Sequence, residues 1–461
     1  MWIRFSYRAN ICVTNIDVCA YRTYLKYVFI KKCIVYDCIN YLVPLVQALL
    51  SLALDGDQVK HITYTALTAP LAHWDLDPAL SFCTHLVYGY AGIQPDTYKM
   101  VPLNENLDID SSHANYRTIT NLKTKYPALK TLLSIGGDVD NEDVEKYNRL
   151  LESPQARTTF VNSAILLIEQ YGFDGIDLAW QLPKMKPKKI RSSWGSLWHG
   201  IKKTFGSTPV DEKETEHREG YTALVRELKQ ALSLKPTRQL SITVLPNVNS
   251  TIYYDVPAII NLVDMVNLQT FDFNTPERNP KEADFISPTY VPQNRNPLNI
   301  CLVFIRLSAG APSYKLLVAI STVARTWKLD SDSEIAGVPP LHADGPGEAG
   351  PYTKIEGILS YPEVCTKLIN PTHQKGMRPH LRKVTDPSKR FGTYAFRLPD
   401  DSGEGGLWVS YEDPDTAGQK AAYVKAKNLG GVSIVDLSMD DFRGLCTDEK
   451  YPILRAAKYR L

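Results

Sequence analysis

The chain has 461 residues, which allows one large barrel or two to three smaller units. Its 52 Lys and Arg residues nearly balance 50 Asp and Glu residues, and 44% of the chain is hydrophobic. These values are typical of a globular protein, and they exclude the global positive charge of a nucleic-acid binder.

The N-terminal segment 1–74 is difficult to assign, because it contains the uncharged run "INYLVPLVQALLSLAL" at 39–54. Three interpretations fit this run: a signal peptide with an overlong start, a buried barrel helix and a membrane anchor. The run is short for a membrane span, and we expect no stable membrane insertion. However, residues 1–38 precede it, whereas a signal peptide begins almost at once. The segment "CIVYDC" at 33–38 is a candidate first strand only if the run is not a cleaved signal.

From residue 82 onward, short β-rich runs alternate with helix-compatible sequence. The predicted strands are 83–93, 129–137, 172–181, 240–248, 263–273, 316–324 and 430–438. The segment 221–232 between two of them is a predicted helix, because Leu224, Leu228 and Leu232 recur every four residues. Such alternation of strands and helices is typical of a parallel sheet.

Seven such strands, with an eighth inside 1–74, predict an α/β fold of the (β/α)8 TIM barrel type rather than an open doubly wound sheet. The gap from 325 to 429 is too long for one crossover and is rich in Pro, Gly and aromatic residues. It predicts an inserted small α+β domain between strands 7 and 8. The expected division is 1–74 as the N-terminal segment, 75–327 as the first part of the barrel, 328–408 as the inserted domain, and 409–461 as the last barrel strand and helix.

The eight cysteines are widely spaced where the chain is expected to fold, with no CxxC pair and no metal-ligand cluster. The nine histidines show no metal-ligand spacing either. The sequence therefore predicts long-range disulfides, with neither a metal site nor a cofactor.

The strand "FDGIDLAWQ" at 173–181 places Asp177, Ala179 and Gln181 on one face, because side chains alternate along a strand. In a barrel that face points inward. Residue 181 lies at the C-terminal end, where barrel enzymes place catalytic groups. Two positions suited to acids therefore hold uncharged residues.

This strand resembles the DGxDxDWE signature of family 18 glycoside hydrolases, the chitinase family. The resemblance implies a retaining mechanism in which the Glu protonates the glycosidic oxygen while the substrate's own acetamide attacks the anomeric carbon. Gln181 occupies the position of that Glu and has no proton to give, a loss of about 10² to 10⁴ in rate. Ala179 replaces the Asp that orients the acetamide. The resemblance thus implies a protein that is not an enzyme.

Other strands resemble the family and depart from it in the same direction. "LLSIGG" is similar to its SxGG strand, and "NLQTFDF" is similar to its MxYD strand, with Asp272 kept and Phe271 in the tyrosine position. In the last strand, Val435 stands where chitinases carry a tryptophan under the sugar. These changes remove a hydroxyl and an aromatic platform for the sugar.

Within the family, residues 75–461 resemble the non-catalytic insect chitinase-like proteins called imaginal disc growth factors. The phrases "FCTHLVYGYAGI", "KRFGTYAF", "YEDPDTAGQKAAYVK" and "LGGVSIVDLSMDDFRG" carry this resemblance. It implies a secreted, extracellular glycoprotein that promotes cell proliferation, migration or cuticle integrity without cleaving chitin. It also implies a Cys365–Cys446 disulfide. The sequon at Asn249 agrees with secretion.

Several candidate residues carry two interpretations. Asp177, Asp272, Phe271 and Tyr88 are candidate contacts for a chitin oligosaccharide, which makes a chitin-binding lectin the alternative function. In the structural interpretation, Asp174, Asp177 and Asp272 are buried carboxylates with hydrogen-bond partners, and Tyr88 packs in its strand.

A basic segment directly follows Gln181, "KMKPKKIRSSWGSLWHGIKK" at 184–203, and it contains no acid. Its cations are Lys184, Lys186, Lys188, Lys189, Arg191, Lys202 and Lys203. They are either a solvated loop or a surface for an acidic face of an unidentified cell-surface receptor or for a sulfated glycan. We expect the protein to be a monomer.

Overall fold

The computed structural model describes residues 62–67, 73–110, 114–140, 143–180, 211–244, 254–290, 310–330, 333, 339–368, 381–388, 390–400 and 405–461. Gln181, the basic segment 184–203, Asn249 and the apolar run 39–54 lie outside the described residues. In the described ranges, no helix is both long and apolar enough to cross a membrane.

Sixteen strands lie within the described residues. They are β1 Ile62–Leu67, β2 His85–Ile93, β3 Met100–Pro102, β4 Lys130–Gly136, β5 Gly175–Ala179, β6 Gln239–Val244, β7 Met265–Leu268, β8 Glu282–Ala283, β9 Leu316–Ser321, β10 Val323–Leu329, β11 Leu341–His342, β12 Ile358–Ser360, β13 Arg382–Thr385, β14 Thr393–Arg397, β15 Gly406–Tyr411 and β16 Gly431–Val435.

Ten of the eleven described α-helices lie between these strands along the chain, and the last follows β16. They are α1 His73–Leu80, α2 Glu105–Asp108, α3 Asn115–Asn121, α4 Gly137–Asp140, α5 Val144–Glu152, α6 Pro154–Tyr171, α7 Glu214–Leu232, α8 Val256–Ile259, α9 Tyr361–Cys365, α10 Pro414–Ala426 and α11 Pro452–Arg460. Short 3-10 turns occupy Leu122–Thr124, Ser313–Lys315 and Leu437–Met439.

Eight parallel strands of the described chain close into a barrel in the order β1-β2-β4-β5-β6-β7-β9-β16, with β16 returning to β1. β1 pairs with both neighbours and so supplies the eighth strand expected within 1–74. The alternative first strand at 33–38 lies outside the described residues. The predicted (β/α)8 barrel is confirmed.

Amphipathic helices cover the outside of the barrel, as the leucine spacing at 221–232 predicts. In α7, Leu224, Leu228 and Leu232 are all buried. The preceding helix α6 starts at an N-cap, Ser153, whose hydroxyl accepts from the Ala156 amide. It ends at Gly172, whose positive φ of 85° is tolerated by glycine and stops the helix directly before β5.

A second, antiparallel sheet lies between barrel strands 7 and 8, with strand order β12-β10-β15-β14-β13. Its core contains Trp327 and Trp408, with Tyr394 stacked on Trp408 at 5.4 Å between ring centroids. The boundaries predicted at 328 and 408 fall inside β10 and β15. Only Thr322 separates β9 from β10, so no Gly or Pro in the sequence marks the boundary between the barrel and the insert.

One disulfide joins the insert to the end of the barrel. Cys365, the last residue of α9, is bonded to Cys446 in the loop between β16 and α11, with Cα atoms 5.8 Å apart. This is the pair implied by the family resemblance.

Candidate functional site

Apolar side chains fill the barrel lumen towards the N-terminal ends of the strands. Val87, Leu132, Met265 and Leu317 come from four different strands and form one buried cluster, with Ile62 packed against it. Side chains from strands that are not neighbours can meet only inside the barrel. The barrel is therefore a packed core below the level of the candidate site.

Asp177 lies one layer above this cluster and is 1% exposed. Its Oδ2 accepts a hydrogen bond from Ser134 Oγ at 2.7 Å, and its Oδ1 accepts one from Ser241 Oγ at 2.6 Å. The strand register explains both contacts, because Ser134 and Ser241 stand directly beside Asp177 on β4 and β6.

A third hydroxyl completes the surroundings of Asp177. Thr243 Oγ1 lies 3.0 Å from Oδ1 and 2.9 Å from Oδ2. Asn267 Nδ2 in turn donates to Thr243 Oγ1 at 3.3 Å. The carboxylate is thus an acceptor for three side-chain hydroxyls, which stabilise it in this buried position.

The next inward position on β5 carries no polar group. Ala179 is 1% exposed and pairs with Gly136 of β4. Phe271, Ala319 and Val435 form a separate buried apolar cluster. The positions where the family resemblance implies a tyrosine and a tryptophan are therefore in contact with each other as Phe271 and Val435. Hydrocarbon, not a hydroxyl or an indole, forms this part of the barrel end.

Asp272 is held by an ion pair that the sequence did not suggest. Arg325 of β10 donates from Nε to Oδ1 at 2.8 Å and from Nη2 to Oδ2 at 2.6 Å. Each side chain is only 14% exposed. The two-pronged geometry matches a guanidinium to a carboxylate and is among the stronger polar contacts in proteins. The second sheet thereby reaches the end of the barrel through one side chain.

A second arginine, Arg278, contacts the backbone of Asp272 and of the next residue. Arg278 Nη1 approaches the carbonyl oxygens of Asp272 and Phe273 at 3.5 and 3.4 Å. Burial lowers the pKa of Arg278, and the negative charges of Asp272 and Glu277 oppose that effect. Asp272 itself adopts a positive φ of 56°, which is uncommon for a residue with a side chain.

The remaining predicted site residues lie elsewhere. Asp174, at the N-terminal end of β5, accepts from Thr131 N at 2.8 Å and from Lys123 Nζ at 2.9 Å. The Tyr88 hydroxyl donates to Asp108 Oδ1 at 2.7 Å and accepts from Asn115 Nδ2 at 3.1 Å.

These contacts bear on the two interpretations of Tyr88 and of Asp174. Tyr88 faces the helices α2 and α3 instead of the lumen, and burial raises the pKa of its phenol. The structure therefore does not support Tyr88 as a contact for a sugar in the barrel. Asp174 fixes the base of β5 and lies at the opposite end from the candidate site.

Arg325, Ser134, Ser241 and Thr243 are the site residues missed by the sequence-based prediction. The only sequence signal for Arg325 is its place in "STVARTW", directly after barrel strand 7, and that signal does not identify a partner. In the described part of the chain, no group of three or more His, Cys, Asp or Glu residues is arranged to hold a metal ion.

The comparison with known families gives a clear result. The family described as glycosyl hydrolases family 18 matches residues 59–440, so this chain belongs to that family.

Its relatives include proteins whose names do not describe an enzyme activity. The chain is 76% identical to the Bombyx mori chitinase-like protein EN03 over 390 residues, covering 84% of this chain and 90% of that protein. It is 54% identical to imaginal disk growth factor 6 of Drosophila melanogaster over 402 residues, covering 84% and 88%. Among solved structures, human YKL-39 superposes with a TM-score of 0.69 at 26% identity, covering 87% of this chain and 99% of that one. That structure is described as a pseudo-chitinase with retained chitooligosaccharide binding.

Proposed function

We propose that this protein is a secreted, catalytically inactive chitinase-like protein that acts as a growth factor and promotes cell proliferation or migration in insect tissue. The observation that carries the proposal is Ala179, buried on the inward face of β5 one step beyond Asp177. The name of one insect relative, imaginal disk growth factor 6, supports the growth-factor role.

The chemistry explains why Ala179 matters. Substrate-assisted cleavage needs a carboxylate to orient the acetamide and an acid to protonate the leaving oxygen. A methyl group can do neither. Asp177 is the nearest carboxylate along β5, and its two oxygens already accept from Ser134, Ser241 and Thr243. Gln181 occupies the acid position in the sequence and lies outside the described residues.

A growth factor acts through its surface, and we assign that role to the basic segment 184–203. Its seven cations suit an acidic face of a cell-surface receptor or a sulfated glycan. The proposal includes an extracellular location, a monomeric state and glycosylation at Asn249.

Cell culture tests this proposal. Purified protein secreted from insect cells is added to imaginal-disc-derived cells, and proliferation is measured against dose. We expect a dose-dependent response, with no release of fluorophore from a chitotrioside reporter. The triple variant Lys186→Glu/Lys188→Glu/Lys189→Glu should lose the response while keeping the thermal unfolding temperature. No response to the wild type at any dose would overturn the growth-factor proposal, and reporter cleavage that disappears in Asp177→Ala would overturn the inactive assignment.

A second candidate is a chitin-oligosaccharide lectin involved in cuticle organisation. It is favoured by the retained chitooligosaccharide binding of the structurally similar YKL-39. In this chain Asp272 is the carboxylate that could accept from a sugar, and it would have to share Arg325 with that sugar. Calorimetry with chitohexaose tests the idea: binding lost in Asp272→Ala supports a lectin, whereas no heat with either protein removes it.

A further inference from the structure

A cleft of about 320 Å3 lies between the insert and the loop that follows β16, and it shares no residue with the barrel lumen. We call it the insert–barrel cleft. One wall contains Pro351, Tyr352 and Pro362 of the insert, and the other contains Phe442, Arg443 and Leu445. Its volume is at the lower end of the range of small-molecule sites, about 300 to 1,000 Å3, which suits a compact ligand.

Both walls are fixed by contacts behind them. Glu363 accepts from the amides of Tyr352, Thr353 and Ser360 at 2.6, 3.2 and 2.8 Å. Asp441 accepts from the amides of Leu445 and Cys446 at 2.9 and 2.7 Å. The Cys365–Cys446 disulfide then joins the two walls covalently. A ligand would therefore meet a preformed site and would not have to order it.

Of the three charged side chains that line the cleft, only Arg443 is exposed to a ligand. The carboxylates of Glu363 and Asp441 are buried and are compensated by the backbone amides that donate to them. Arg443 is exposed, and its guanidinium lies over the Phe442 ring at 5.0 Å from the centroid. No ion pair joins Arg443 to a residue in the described part of the chain. The accessible charge of the cleft is thus a cation placed on an aromatic wall.

The rim of the cleft is apolar and solvated. Tyr352 is 42% exposed and Leu445 is 60% exposed, although both are large apolar residues in contact with the same cavity. Covering them would remove apolar surface from water, which is favourable in proportion to the area covered. A ligand that gains from both features needs an apolar body and a negative end.

We propose that the insert–barrel cleft binds a compact amphipathic anion, with an aromatic or aliphatic body and one carboxylate group. The body lies between Tyr352 and Leu445, and the carboxylate pairs with Arg443. This site is independent of the barrel end and of the proposed growth-factor activity.

The test compares two probes of equal shape. The full-length protein is titrated with the carboxylate anion of 2-naphthaleneacetic acid (2-naphthylacetate) and with the neutral alcohol 2-naphthaleneethanol. Binding is followed by saturation-transfer NMR and calorimetry. We expect both to bind, the acid more tightly. Arg443→Gln should weaken the acid about 3- to 10-fold and leave the alcohol within about twofold, because it removes one partly exposed ion pair.

Two further variants locate the binding. Leu445→Gln should weaken both probes to a similar extent, because it removes apolar contact from the rim without burying a new group. Leu234→Gln changes another exposed leucine, which is 83% exposed and does not line the cleft, and it should change neither affinity. All three substitutions are at exposed positions, so the thermal unfolding temperature should stay constant. Absence of binding by the wild type, equal affinities in Arg443→Gln and the wild type for the acid, or no effect of Leu445→Gln would each overturn the proposal.

Discussion

Asp177 illustrates how neighbouring hydroxyl groups can hold a carboxylate inside a barrel. The charge is buried, and three hydroxyls from β4 and β6 donate to it. Removing the acid would leave those hydroxyls without their acceptor, which is costly in a buried place. Asp177 therefore has a structural role in the barrel that does not depend on catalysis.

We predict that Asp177→Ala lowers the free energy of unfolding by about 3 kcal/mol, because it creates unsatisfied hydroxyls and a small cavity together. Urea denaturation measures this change. The matched control is Asp96→Ala, which removes an exposed carboxylate and should change stability by less than about 0.5 kcal/mol. Equal effects of the two substitutions would contradict the structural role of Asp177.

His85, the first residue of β2, makes the stability of the protein depend on pH. Its Nε2 lies 3.0 Å from Gln239 Oε1 and its Nδ1 lies 2.8 Å from Thr84 Oγ1. Burial lowers the pKa of His85 from 6.5 to about 4, and the hydrogen bond with Gln239 opposes this only in part. The nearby Lys130 lowers the pKa further, whereas Asp174 raises it.

The unfolded chain takes up a proton at this histidine below pH 6.5, and the folded chain does so only near pH 4. Acidification therefore favours the unfolded state between these values. We predict that the wild type loses about 2 kcal/mol more stability than His85→Gln between pH 7 and pH 5. Denaturation curves at the two pH values measure the difference, and parallel losses in both proteins would show that His85 is not the group responsible.

At the level of elements, β10 connects two sheets through Arg325. A single residue, Thr322, separates this strand from β9. β10 runs into the antiparallel sheet, and its Arg325 side chain reaches Asp272 beyond the end of β7. The sequence-based strand 316–324 merged β9 with the start of β10, because both are apolar and no turn residue separates them. The Arg325–Asp272 ion pair forms because β10 changes direction after β9, and it therefore depends on the tertiary structure.

We predict that Arg325→Met lowers the free energy of unfolding by about 2 kcal/mol, because it leaves the largely buried carboxylate of Asp272 without its cation. The matched control is Arg149→Met, whose partner Glu145 is one helical turn away and whose side chain is 65% exposed. That pair should contribute only about 0.3 to 0.5 kcal/mol. A double-mutant cycle with Asp272→Asn measures the coupling, and a value near zero would contradict the assignment.

For the whole molecule, the Cys365–Cys446 disulfide fixes the insert against the last barrel element. The bond closes a loop with a sequence separation of 81 residues that contains β13, β14, β15, α10 and β16. Closing so long a loop restricts the unfolded chain substantially, and it also holds the two walls of the insert–barrel cleft together.

We predict that the double variant Cys365→Ser/Cys446→Ser loses about 4.5 kcal/mol of stability, the chain-entropy value for a loop of this length. Both cysteines are replaced so that no odd thiol is created. Urea denaturation measures the loss, and the affinity for 2-naphthylacetate should fall in the same protein under native conditions. Unchanged stability would mean that the insert is held by packing alone.

The sequence by itself determined the barrel, and its resemblance to family 18 implied that two catalytic positions hold uncharged residues. Apolar strands at regular intervals predict parallel strands buried on both faces, and alternation along β5 is enough to place residues 177 and 179 on one inward face. The resemblance places Ala179 where the family signature has an acid, and a methyl group can neither orient an acetamide nor donate a proton. The two interpretations of Tyr88, a sugar contact or packing in its strand, could not be separated from the sequence, because alternation in β2 does not reveal which of its faces points inward.

Only the tertiary structure decided the partners of the retained acids. Asp177 meets Ser134, Ser241 and Thr243 across 43, 64 and 66 residues of chain, and Asp272 meets Arg325 across 53. These contacts exist because strand register brings particular side chains to one level of the lumen and because β10 turns back over the barrel end. The insert–barrel cleft has the same origin, since its walls meet only after the insert has folded against the loop that follows β16.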